Sequence, residues 1–325
     1  MKYLTEKNRD IKISCIGIGT GRFGTRVPNE LAYEMLDLFL EYGGTVIDTA
    51  RNYYEWVENG RGKSEECIGK WMEKRKIREK VCVTTKGGVK NNGKEWRISL
   101  DRQRLREELK ESLEALRTDY IDIYLLHRDE PGRPVEEIVD TMQYLIEVGG
   151  IKKIGVANWS IDRIIQANDY AKRQGIKIFE VIQTWWSVAE YKQEMWDDEN
   201  TTHMDNLTYR YLEENELIGM AYTSQCKGYF QKAINRGYNQ VDPFLRKRIE
   251  TPKNIAVLKF LRQYSEKQGV TITELLNGYI TSGKVKGIAL VSCSSKEQLI
   301  DILTHCDYQM PLKIIEEIKS IKGEY

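Results

Sequence analysis

Residues 112–131, SLEALRTDYIDIYLLHRDEP, join the two kinds of segment from which this chain is built. The first part completes a helical stripe of Leu105, Leu109, Leu113 and Leu116, one apolar face at the spacing of an amphipathic helix. The second part, IDIYLLH (121–127), is a β-type apolar run that closes on a histidine. Near-continuous apolar strands mark parallel strands covered on both faces, so a helix followed by such a run predicts one turn of an α/β fold.

The same run recurs along the chain as ISCIGIG (13–19), TVID (45–48), VCVTTK (81–86), KKIGVAN (152–158), FEVIQ (179–183), LIGMAYT (217–223) and GIALVS (287–292), making eight with 121–127. Between them lie further helical stripes, such as Leu31, Met35, Leu38 and Tyr42, or Val135, Ile138, Met142 and Leu145. Gly43 and Gly149–Gly150 are helix-ending glycines, and Pro134 sits where a first-turn proline is tolerated. Strand and helix alternating eight times predict a closed (β/α)8 TIM barrel of the α/β class. No Ser- or Pro-rich linker divides residues 1–325, so one domain is expected. The long connections 184–216 and 224–286 are expected to border the substrate mouth.

The composition narrows the function. The 325 residues are 41% hydrophobic and 30% charged, enough apolar material for a large core. Fifty basic against forty-nine acidic residues give a net charge of +1, which points away from nucleic acid and anionic membranes and toward a small-molecule partner. Six scattered cysteines without a CxxC pair argue for reduced thiols, and no run approaches the ~18 apolar residues of a spanning helix. A cytoplasmic location is the expectation, with the oligomeric state left open.

The predicted strands end in polar side chains: Thr20, Asp48, Lys86, His127, Asn158, Gln183, the Tyr222–Thr223 pair and Ser292. One such residue alone reads as a solvated strand-end hydrogen bond. On a barrel, however, the C-terminal strand ends share one mouth, where active sites are built. A lysine and an aspartate there must be paired, and such groups are catalytic candidates. With Tyr53 nearby, the chemistry expected is proton transfer by a phenol whose pKa an adjacent ammonium lowers. Asp48 would hold Lys86 charged, and His127 would orient a carbonyl oxygen. Hydride must then come from a cofactor.

Other motifs are weaker. GTGRFG (19–24) imitates a Rossmann fingerprint, but Val27 and Pro28 separate its last glycine from the helical pattern, where a pyrophosphate would need a helix N-terminus. The chain has no HExxH, no HxH and no phosphate-loop lysine motif, so no metal is expected. Tyr54, Trp56, Trp159, Trp185 and Trp186 follow predicted strands and suit a substrate cleft.

Several segments in order resemble the aldo-keto reductase family over nearly the whole chain. GIGTGRFG (17–24) is similar to its first-strand glycine segment, DTARNYYEWVENGRGKSEECIGKWM (48–72) to its Asp-Thr-Ala segment, and VCVTTKGG (81–88) to its lysine strand. SLEALRTDYIDIYLLHRDEP (112–131) and GVANWS (155–160) continue the likeness. The resemblance implies Asp48, Tyr53, Lys86 and His127 as a catalytic tetrad with Tyr53 the proton donor. It implies Asn158 and Gln183 on a nicotinamide carboxamide, Tyr222 stacked on the nicotinamide, and Thr223, Ser224, Gln225 and Gly228 around the pyrophosphate. Thr20, Gly21, Arg22 and Asp48 would also face cofactor, as would Ser292, Ser294, Lys296, Gln298 and Asp301 at its adenosine end.

Two departures matter. Thr-Ser-Gln-Cys follows Tyr222 where the family commonly has Ser-Pro-Leu, and SCSSKEQL (292–299) offers Lys296 as its one obvious cation. NADP is therefore expected, with NAD as the alternative. Phe23, Tyr54, Trp56, Trp159 and Trp186 would form a cleft for an aldehyde, ketone or keto-sugar. The alternatives are a sugar or polyol dehydrogenase working oxidatively, or a cofactor-binding regulator or sensor.

Overall fold

Each predicted run supplies one strand: β1 Ile16–Gly19, β2 Val46–Asp48, β3 Cys82–Gly87, β4 Ile121–Leu126, β5 Ile151–Ala157, β6 Val181–Trp185, β7 Ile218–Tyr222 and β8 Lys286–Val291. The computed structural model describes residues 1–4, 12–91, 96–193 and 200–324. Every neighbouring pair is parallel, and β1 closes the barrel against β8 with Ile16, Gly17 and Ile18 opposite Ala289, Leu290 and Val291.

Side chains alternate across a strand, so each one feeds two cores. Val46, Cys82, Ile123, Leu125, Val181, Ile218, Met220, Ile288 and Leu290 fill the barrel interior, and Ile13 joins them from below β1. Their neighbours Ile47, Val83, Tyr124, Leu126 and Ile182 point outward into the layer shared with the helices. Both faces of each strand are thus apolar, the reason the runs read as nearly continuous.

Helix ends follow local chemistry. Asp101 caps helix Arg102–Leu116 by accepting from the backbone N–H groups of Gln103 and Arg104. Gly150 ends helix Val135–Gly149 at φ 64°, where a Cβ would come within 2.5 Å of the Asp119 carbonyl. Pro134 stands as N-cap, one residue before that helix.

Two features had no sequence signal. A short antiparallel ribbon, Val89–Asn91 with Trp96–Ile98, follows β3. β6 also runs on to Trp185, whose N–H donates to Thr202 O at 3.1 Å while its carbonyl accepts from Met204 N at 2.9 Å. Part of the first long connection therefore lies across the barrel mouth. The second contains helices Pro243–Ile249, Pro252–Gln268 and Ile272–Thr281. Among the described residues no helix is long and apolar enough to cross a membrane, and no group of three acidic, Cys or His side chains could hold a metal. None of the six cysteines is in a disulfide, and all are buried.

Candidate active site

The mouth is organised around one buried ammonium. Lys86, at the end of β3, places Nζ 2.8 and 2.9 Å from the two Asp48 carboxylate oxygens, 2.8 Å from Thr49 O and 2.9 Å from Tyr53 Oη. Tyr53 in turn donates to Asp48 Oδ2 at 3.1 Å. Gln183 Nε2 donates to Asp48 Oδ1 at 2.8 Å, tying the end of β6 to the same carboxylate.

Tyr53 lies on a loop, so its position needs anchors. The Arg51 N–H donates to Lys86 O at 3.2 Å, and the Arg51 guanidinium reaches the buried Glu65 at 2.9 Å and Glu111 at 3.0 Å. Thr85 Oγ1 holds the other Glu65 oxygen at 2.6 Å. Gly62, at φ 75°, lets the chain pass this guanidinium, since a Cβ there would stand 2.3 Å from it.

Burial decides the protonation states. It pulls the Lys86 pKa below the ordinary lysine value, opposed by Asp48. It pushes the Tyr53 phenol well above the tyrosine range, and the charge of Asp48 and the hydrogen bond to it add in the same direction. The expected lowering of the phenol by Lys86 is thus reversed: desolvation and the carboxylate outweigh the ammonium, and Tyr53 rests protonated. His127 is pushed well below the usual imidazole value by burial, then by Lys86 and Arg128, and rests neutral. Its ring meets that of Tyr53 edge-on at 6.0 Å.

Around this centre the anticipated residues fall into three groups. Asn158 and Tyr222 adjoin the cluster: Tyr222 Oη donates to Asn158 Oδ1 at 2.6 Å, and Asn158 Nδ2 points to His127 O at 3.5 Å. Thr202 N also donates to Asn158 Oδ1, at 3.4 Å. Gly21 runs beside the Tyr53 ring, where a Cβ would stand 3.7 Å away, and Arg22 is exposed next to it. Thr20 is fully buried, its hydroxyl donating to Asp48 O at 2.9 Å.

A second group lines the β7, β8 and β1 side. Thr223 (φ 57°) and Gly228 (φ 77°) bound the loop after β7. Within it the Ser224 hydroxyl donates to Leu290 O at 2.7 Å, and Gln225 bonds Asn277 and Gln231, so these two side chains brace the loop from inside. Ser292 reaches Gly19 O at 3.4 Å, and Gln298 Oε1 accepts from Ser294 N and Oγ. Asp301 accepts from Thr273 at 2.7 Å, and Lys296 pairs with Glu34 at 2.7 Å.

The aromatics divide. Tyr54 and Trp56 stack at 5.0 Å directly after Tyr53, with Trp56 48% exposed and Arg26 lying over the Tyr54 ring at 5.6 Å. Phe23 is packed into the core. Trp159 and Trp186 are not brought to the mouth. Trp159 packs on Phe179 and under Arg163, and Trp186 packs on Tyr209 in helix Asn206–Glu214. Trp159 follows Asn158, whose φ of 60° breaks the strand geometry, and Trp186 lies just past the end of β6; both join the outer core.

Sequence reasoning missed Asn52, whose Oδ1 lies 2.8 Å from His127 Nδ1, and Thr202, which covers Asn158. The first had a signal in its place beside Tyr53. The second, inside a long connection, had none.

The model of the "Aldo/keto reductase family" matches residues 15–322. "Aldo-keto reductase YhdN" of Bacillus subtilis is 28% identical over 242 residues, 73% of this chain and 66% of that protein. "Norsolorinic acid reductase stcV" of Emericella nidulans is 27% identical over 329 residues, 95% of this chain and 78% of the relative. "Putative aryl-alcohol dehydrogenase AAD14" of Saccharomyces cerevisiae is 33% identical over 180 residues, 53% of this chain and 46% of the relative.

Proposed function

The chain belongs to the aldo/keto reductase family, and from that premise we propose that it is an NADP-dependent oxidoreductase that interconverts a carbonyl compound and its alcohol, with Tyr53 moving the proton. The observation that carries this reading is the Tyr53 hydroxyl held between Nζ of the buried Lys86 at 2.9 Å and Oδ2 of the buried Asp48 at 3.1 Å.

A protonated phenol donates a hydrogen bond to a carbonyl oxygen, and as that oxygen gains negative charge it takes the proton. Lys86 is in contact with the phenolate so formed and stabilises it, while Asp48 keeps the ammonium charged until it is needed. His127 borders the reacting oxygen from the other side. The cofactor, when bound, supplies the hydride for reduction and takes it up in oxidation.

The donor set suits such a group. Asn158 and Gln183 offer amides beside Asp48, Tyr222 a ring, and the loop after β7 backbone N–H groups at left-handed turns, a usual setting for phosphate oxygens. At the far end Lys296 is a cation for a 2′-phosphate, already partnered by Glu34. Weak discrimination of NADP from NAD follows from that pairing.

The stacked Tyr54–Trp56 pair favours a substrate with a flat face, an aromatic carbonyl or a sugar. Relatives named a reductase and a putative aryl-alcohol dehydrogenase fit chemistry that runs in either direction. The test is a panel of aldehydes, ketones and keto-sugars with deuterium-labelled NADPH. Deuterium on the carbinol carbon of a product supports the reading, and no transfer to any member of the panel overturns it.

A further inference from the structure

We propose that Asn277 is a positioning residue that joins the loop after β7 to the helix Lys296–Thr304, so that two expected arms of the cofactor site stand as one preformed cradle. The inference rests on the reading that both segments meet the cofactor. The loop needs support: Thr223, Cys226, Lys227 and Gly228 lie at φ 57°, 46°, 55° and 77°, and three of the four carry a side chain. Left-handed backbone is unfavourable for such residues and persists only where the surroundings hold it. Residues 223–228 include no proline, so side-chain hydrogen bonds have to supply the stiffness.

Asn277 supplies the hold. It is buried in helix Ile272–Thr281, and its Nδ2 donates to Ile302 O at 3.4 Å and to His305 O at 3.3 Å. Backbone carbonyls only accept, so the amide has one orientation and Oδ1 is left to the loop. There it accepts from Gln225 Nε2 at 2.9 Å, which leaves Gln225 Oε1 to accept from Gln231 Nε2 at 2.7 Å. The donor and acceptor roles of all three amides thus follow from two backbone groups. One turn before Asn277 on the same helix, Thr273 donates to Asp301 at 2.7 Å. That is a second tie to the helix that carries Lys296, Gln298 and Asp301.

Hydrogen exchange in the cofactor-free chain reads the loop directly. The Cys226 and Gly228 N–H groups donate within it, to Thr223 O at 2.9 Å and Gln225 O at 2.8 Å. In Gln225→Met both are expected to exchange about five- to tenfold faster, the change that one lost hydrogen bond produces. Wild-type exchange rates in the variant overturn the inference, whatever the site binds.

Fluorescence titration with NADPH then reads the cradle. Gln225→Met and Asn277→Leu are each expected to raise the dissociation constant about five- to tenfold. A relay broken at one link is not broken again at the next, so the double variant should bind within about twofold of the weaker single variant. Additive losses, about 25- to 100-fold, overturn the joint role. In turnover, Asn277→Leu should raise KM for NADPH about five- to tenfold, whereas a fall in kcat with KM unchanged overturns the positioning role. Should Asn277→Leu fail to fold, Asn277→Ser, too short to span loop and helix, takes its place with the same expectations. A wild-type chain that binds neither NADPH nor NADH would overturn the cofactor reading and the cradle with it; NADPH affinity unchanged in folded Gln225→Met overturns this inference alone.

Discussion

Replacing Asp48 by Asn removes one charge from a site where nothing else can take its place. The Lys86 ammonium would keep Thr49 O, Tyr53 Oη and one amide oxygen as acceptors but lose the negative charge that both carboxylate contacts carry. Breaking a buried ion pair by deleting one partner costs about 3–5 kcal/mol. The lysine has an escape, since it can fold unprotonated. At pH 7 that means giving up a proton about 3.4 pH units below the ordinary lysine value, so this route caps the charge penalty at about 4.6 kcal/mol. The sign of the pH dependence follows. The folded-state pKa of Lys86 is depressed in the variant, the unfolded chain binds the extra proton, and the penalty shrinks by about 1.4 kcal/mol per pH unit as pH rises toward the unfolded value. Urea unfolding of the wild type and Asp48→Asn at pH 7, 8 and 9 should show a deficit of about 3–5 kcal/mol falling to roughly 2. The double variant Asp48→Asn/Lys86→Met, with neither charge, should be more stable at pH 7 than Asp48→Asn alone. A deficit below about 1 kcal/mol, or one that does not change with pH, would show that Asp48 is not the ammonium's principal partner.

Three further outcomes follow from the structure. His127 is neutral because it is buried, so its contribution to stability is complete above about pH 6.5 and is lost as pH falls below that value, by up to about 1.4 kcal/mol per pH unit; His127→Gln should flatten the acid limb of the stability profile, and an unaltered limb would assign it to other groups. Freeing Lys296 with Glu34→Gln should tighten NADPH relative to NADH by about two- to fivefold in fluorescence titrations, whereas an unchanged ratio would place the 2′ group elsewhere. Trp56→Ala should raise KM for an aromatic carbonyl, while Trp159→Phe, packed away from the mouth, should cost stability and leave KM as it was; the reverse pattern would exchange their roles.

The barrel was legible because parallel strands buried on both faces leave long apolar words in the sequence, and Ile121–Leu126 is the clearest of them. The gathering of Asp48, Lys86 and His127 was legible because all three end such words, and a barrel brings all strand ends to one mouth. What escaped reading depended on directions and distant partners. Trp159 and Trp186 lie just past strand ends, where the backbone leaves strand geometry and the direction of a side chain is not visible in composition. Asn52 bonds a histidine 75 positions away, and Lys296 a glutamate 262 positions away. The phenol's pKa ran opposite to expectation because the sequence places a lysine near Tyr53 but does not say how dry the pocket is, nor that Asp48 touches the same hydroxyl.

The proton role of Tyr53 is tested most directly by Tyr53→Phe, which deletes one oxygen and leaves the ring packed against its neighbours. With cofactor affinity checked by titration and the fold by unfolding, reduction of the best carbonyl substrate is followed by loss of nicotinamide absorbance. The account predicts NADPH binding close to wild type and a fall in kcat of about 10²–10⁴-fold, the range expected when a positioned acid is removed. A Tyr53→Phe enzyme that turns over at the wild-type rate would contradict it.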